Sequence, residues 1–67
     1  MTYRCYNMDT GLAMYFQADS CKDAAKLAVH YLNLKHKQKT TIYRSRSKQY
    51  WWFIHQDQTY AVSLHHE

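Results

Sequence analysis

Tyr50-Trp51-Trp52-Phe53-Ile54 puts five large apolar residues in a row, directly after the basic stretch Arg44-Ser45-Arg46-Ser47-Lys48. Side chains on a strand alternate between the two faces of a sheet, so such a run cannot point wholly inward. A chain of 67 residues has material for one core on one side of one sheet. The run therefore predicts a sheet with one covered face and one open face, both carrying large rings. Exposed rings beside positive charge mark a surface for binding.

The flanking sequence supplies the rest of that sheet. Strands are predicted at 40–46, 50–56 and 59–65, with turns at Ser47-Lys48-Gln49 and Gln56-Asp57-Gln58. Thr40, Thr41, Ile42 and Tyr43 favour a strand. Tyr60, Val62 and Leu64 alternate with Thr59, Ala61, Ser63 and His65, the pattern of a half-buried strand. Upstream, residues 2–8 and 12–18 read as a hairpin closed by Asp9-Thr10-Gly11, whose glycine is free to take positive φ. Leu12, Met14, Phe16 and Ala18 share one face of its second strand, and Ala13, Tyr15 and Gln17 the other. Between the two halves, Ser20 caps a helix with Asp23 three residues on. The apolar set Ala24, Ala25, Leu27, Ala28, Tyr31 and Leu32 follows helical spacing, with Lys22, Lys26, His30 and Asn33 on the wet side. The helix fades near Asn33 or Leu34, before the cationic stretch Lys35-His36-Lys37-Gln38-Lys39. The expectation is a single α+β domain over residues 1–67: an antiparallel sheet of about five strands in the order β-β-α-β-β-β, with one helix on one face.

Composition agrees with a packed domain. Seven Tyr, two Trp and two Phe accompany no Pro and one Gly, which is not the signature of disorder. Nine Lys and Arg against five Asp and Glu leave a formal charge of +4, which favours an anionic partner. Two cysteines, Cys5 and Cys21, are too few for a disulfide scaffold. No apolar leader is visible, and the longest apolar run is too short to cross a membrane. A soluble, reduced, cytoplasmic protein is expected.

Chemistry has little material. The five carboxylates each have a structural use: Asp9 and Asp57 in turns, Asp19 and Asp23 at the helix start, Glu67 at the end. None forms a facing pair, which glycosidases need, or a converging cluster, which two-metal nucleases need. His65 and His66 point to opposite faces of a strand, and His30 and His36 are badly spaced for one helical face. Cys21 lies near a helix N-terminus, which could lower its pKa, but no base is placed for it. Gly11 stands alone, so no glycine-rich phosphate loop exists. No catalysis, metal or cofactor is expected.

Binding has more. Lys35, Lys37, Lys39, Arg44, Arg46 and Lys48 form a basic band from the helix end into the third strand and its turn. Tyr43, Trp51 and Phe53, with Tyr6 and Tyr15, are assigned to the open face, and Trp52 and Ile54 to the core. Alternation defines these two sets without fixing which one meets the helix. Such a face suits a protein partner, since Tyr, Trp and Arg dominate interface energies. Direct binding of single- or double-stranded nucleic acid is the alternative, with phosphates on the basic band and bases on the rings, although the aromatic spacing matches no RNP signature and the net charge is modest for a dedicated binder. A sheet-to-sheet homodimer is the third reading, beside a monomer.

The hairpin, the helix opening Ser20-Cys21-Lys22-Asp23-Ala24-Ala25-Lys26-Leu27-Ala28 and the strands that follow resemble small phage-encoded inhibitors, namely compact anti-CRISPR proteins and phage inhibitors of host RNA polymerase. The resemblance lies in element order and carries over no functional residue. It implies a non-enzymatic protein, in the cytoplasm of a bacterial host, that occupies a surface of a host protein or nucleoprotein complex such as a CRISPR effector.

Overall fold

A computed structural model describes residues 1–66; Glu67, the fifth carboxylate of the sequence, lies outside them. Two strands, β1 (Thr2–Asn7) and β2 (Ala13–Gln17), precede the helix α1 (Cys21–Asn33). Three more follow: β3 (Tyr43–Arg44), β4 (Tyr50–His55) and β5 (Gln58–Leu64). The strands form one sheet in the order β2-β1-β5-β4-β3, antiparallel throughout. With one helix against one face, this is the α+β architecture expected.

Local chemistry explains each element. The β1–β2 turn is organised by Asn7, whose Oδ1 accepts from the Asp9 and Thr10 amides at 2.9 and 3.1 Å. Gly11 then takes φ +79°, a region that glycine enters without steric cost. The Ser20 hydroxyl accepts from the Asp23 amide at 3.1 Å and starts α1 where expected. Ala24, Ala25 and Ala28 are fully buried, so the helix backbone can approach the sheet closely. Leu27 and Tyr31, assigned to the apolar stripe, are instead exposed, because the stripe that meets the core runs through Cys21, Ala24, Ala25, Ala28, Val29 and Leu32 and leaves them to its side.

The core lies between α1 and the row Tyr3, Cys5, Phe53, Tyr60 and Val62. Phe53 is fully buried and stacks on its cross-strand partner Tyr60, with centroids 5.1 Å apart. His55 is also interior, and its Nε2 lies 3.0 Å from both Asn33 Oδ1 and the His36 carbonyl. Both partners are acceptors, so Nε2 carries the proton and donates to them. That pair of bonds ties the end of α1 to the end of β4.

Three expectations need correction. The strand assigned to 40–46 shrinks to Tyr43–Arg44, a short edge strand. The turn assigned to Gln56-Asp57-Gln58 is a two-residue turn, Gln56-Asp57, with φ of 52° and 61° and His55 paired with Gln58. Phe53 and Trp51, placed on the open face by sequence, lie on the helix side; Trp52 and Ile54, placed in the core, lie on the open side. The last correction follows from the second. With a two-residue turn, Phe53 pairs with Tyr60 and Trp51 with Val62, and both partners are core. One more residue in the turn would have put Ile54 and Trp52 there, since a one-residue slip flips every side chain.

Candidate binding face

Among the described residues, no element packs on the sheet face away from α1. Cross-strand register arranges its side chains in two rows. One row runs Tyr43, Trp52, Ala61, Tyr6 and Ala13; the next runs Tyr50, Ser63, Arg4 and Tyr15. Ile54 and Thr59 begin a third. The small residues Ala61 and Ser63 thus lie between bulky ones on both neighbouring strands. The consequence is a trough along β5, walled by Trp52 and Tyr50 on one side and Tyr6 and Arg4 on the other.

The rings are held in fixed relations. Tyr43 and Trp52 stack with centroids 4.6 Å apart and planes 25° apart. The Arg4 guanidinium sits 5.1 Å from the centre of the Tyr6 ring, and Tyr15 meets His65 edge-on at 4.9 Å. Tyr15, Tyr43, Tyr50 and Ile54 are all exposed. At the β3–β4 corner an open concavity of about 600 Å³ is lined by Tyr43, Tyr50, Trp52, Arg46 and Ser47, among others.

The turn beside that corner is well defined. The Ser45 amide donates to the Tyr50 carbonyl at 3.0 Å, and the Lys48 amide to the Ser45 carbonyl at 3.0 Å. Ser45 is buried, with its hydroxyl 3.1 Å from that of Ser47. Arg46 and Lys48 project from this closed loop and are exposed.

The residues singled out by sequence are therefore divided. Tyr43 belongs to the open face, with Arg46 and Lys48 on its rim. Arg44 also lines the corner concavity, but its guanidinium lies 5.8 Å from the centre of the Trp51 ring, on the helix side, where Lys22 Nζ also approaches at 5.5 Å. Trp51 is half-buried against the core, and Phe53 is inside it. Lys35, Lys37 and Lys39 are exposed in the segment between α1 and β3. That segment is fastened at the opposite end of β4, where Gln38 Oε1 accepts from the Gln56 amide at 3.0 Å. The basic residues form two groups at the two ends of β4, separated by about 20 Å at the usual strand rise, and not one band.

Arg4, Tyr50 and Trp52 are the open-face residues that sequence reasoning missed. Period-two alternation with Tyr6 was the available signal for Arg4, and turn length was the signal for Tyr50 and Trp52.

None of the five strands contains an Asp or Glu. Asp9 is engaged at the end of the sheet beside the β1–β2 turn, where its Oδ2 accepts from the Thr59 amide of the central strand β5 at 2.7 Å. Among the described residues no group of three or more His, Cys, Asp or Glu could hold a metal ion. The Cys21 thiol donates to the Val62 carbonyl at 3.0 Å. Burial pushes its pKa up, against a smaller lowering from a backbone bond at Trp51. Among the described residues no helix is long and apolar enough to cross a membrane. Comparison with protein-family models, curated proteins and solved structures finds no match to this chain.

Proposed function

We propose that this chain is a non-catalytic, stoichiometric binding protein whose contact surface is the open face of its sheet. Its partner is a larger assembly, in the manner of the small phage inhibitors that occupy a host nucleoprotein complex. The observation that carries this reading is the uncovered face itself, where Tyr6, Tyr15, Tyr43, Tyr50 and Trp52 stand together on the side opposite the helix. Rings of this kind, kept in place by a folded sheet, are rigid anchors that lose little entropy on binding. Cross-strand stacking accounts for the Tyr43–Trp52 pair, but five rings gathered on one uncovered face exceed what that pairing uses and suit a contact surface.

The test is capture from a bacterial lysate with the intact protein and with a Tyr43→Ala, Tyr50→Ala double variant. Both tyrosines are exposed, so the variant keeps its fold, which circular dichroism checks. A partner held by the parent chain and lost by the variant is the expected result. Equal capture by both would remove the open face as the contact surface.

A further inference from the structure

We propose that the ligand of the open face is single-stranded nucleic acid, with one nucleotide seated in the concavity at the β3–β4 corner. The inference rests on the open-face reading above and names the part of that assembly which the face touches, its nucleic acid. Within the concavity, the base extends the Trp52–Tyr43 stack and the phosphate meets Arg46.

Three observations converge. Tyr43 stacks on Trp52 through one ring face, is 46% exposed, and stands on the edge strand β3, with no strand of the sheet beyond it to cover the other side. Every base has a π-face, so such a platform takes bases without regard to sequence. Charge is the second observation. Arg46 lines the concavity, Lys48 lies in the same turn and Arg4 stands in the next row, while no strand of the sheet carries an acid. That combination of rings and unopposed cations complements an anion bearing flat rings. Shape is the third. The low strip over Ala61 and Ser63 runs in a single line beside Trp52 and Tyr50, between backbones roughly 10 Å apart, a relief that follows one strand and not two. A duplex keeps its bases stacked on each other, and no helix or loop rises from this face to enter a groove.

Fluorescence anisotropy of labelled oligothymidylate and oligouridylate of about ten residues, a length in the range such surfaces cover, tests the proposal with the intact protein. Binding is expected at low salt, weakening as salt rises with a log–log slope of about −1.4 to −2.1, the value for two or three phosphate contacts on a single strand. Tyr43→Ala and Arg46→Glu should each weaken it about tenfold, with Arg46→Glu also flattening the salt slope. Lys26→Glu, on the exposed back of α1, should change it less than about twofold. A hairpin duplex should bind more weakly than either single strand. Absence of binding at low salt overturns the proposal. So does an equal loss with Lys26→Glu, which would mean attraction by net charge alone. Lysate capture repeated after nuclease treatment separates the two levels. A partner still held by the parent chain and lost by the tyrosine variant makes the ligand a protein, with the open face intact as its site. Loss of capture with no oligonucleotide binding removes both.

Discussion

Phe53 and Trp52 are neighbours in sequence with opposite fates. Phe53 fills the space under the three alanines of α1, whereas Trp52 is half-exposed and stacks on Tyr43. Truncating Phe53 to Ala should cost about 3–5 kcal/mol. A chain this size has a total stability of about 3–10 kcal/mol at typical values per residue, so that variant should be largely unfolded by urea or heat under mild conditions. Trp52→Ala should cost only about 1–2 kcal/mol, the loss of one cross-strand ring pair and part of its buried area. The reverse order of stabilities would place Trp52 in the core. Cys5 offers a second test at this scale. Its thiol is fully buried, and burial pushes its pKa up to about 12 from 9.0. Between those values the unfolded chain binds fewer protons than the folded one, so stability is complete below pH 9 and falls as pH rises. The slope is about 1.4 kcal/mol per pH unit for one such group. Urea melts at a series of alkaline pH values should show this decline, and Cys5→Ala should flatten it whatever it does to stability at neutral pH. Thiol reagents should meanwhile label Cys5 only when the chain unfolds.

The Gln56-Asp57 turn decides more than any other element. Both residues take positive φ, as a two-residue type I′ turn requires, yet neither is glycine or asparagine. Replacing the pair by Asn-Gly should stabilise the protein by about 1 kcal/mol, the order of the left-handed strain relieved. A chemical melt checks the gain, and a loss would mean that Gln56's bond to Gln38 outweighs the strain. This turn also explains how far the sequence could be read. The alternation of β2, the Ser20 cap and the end of α1 were legible because each rests on residues close in the chain. The facing of β4 was not. Its two sets, Trp51-Phe53 and Trp52-Ile54, are equally apolar, so hydrophobic pattern cannot rank them. Only the register against Tyr60 and Val62 does, and Gln56-Asp57-Gln58 carries no glycine to announce a two-residue loop. The short edge strand β3 had a different cause. Thr40 to Ile42 have strand propensity, but the segment before β3 is held at the far end of β4 through Gln38, and pairing begins only at Tyr43. His55 was likewise outside reach, because its partners Asn33 and His36 meet it only through tertiary packing.

At the scale of the whole molecule, the open face raises the question of what keeps copies apart. Five aromatic side chains on an uncovered sheet would ordinarily favour sheet-to-sheet pairing, which buries apolar area in proportion to contact. Charge opposes it here. In a two-fold pair the same patch meets itself, so Arg4 of one copy and its Arg46 rim approach another surface without a carboxylate on any strand. The formal charge of +4 on each copy adds a longer-range repulsion. Both terms depend on ionic strength, since the screening length falls from about 10 Å at 0.1 M salt to about 3 Å at 1 M, while the hydrophobic gain does not weaken. The expected state in sedimentation at low salt is therefore an 8.1 kDa monomer, even at high protein concentration. Self-association should appear only when salt is raised toward molar values. Trp52→Ala should diminish that association, because it removes area from the centre of the patch. Nucleic-acid binding should move the opposite way over the same titration, weakening as self-association grows. A stable dimer at low salt would show that the uncompensated arginines do not decide the matter, and the open face would then be an interface between copies of this chain.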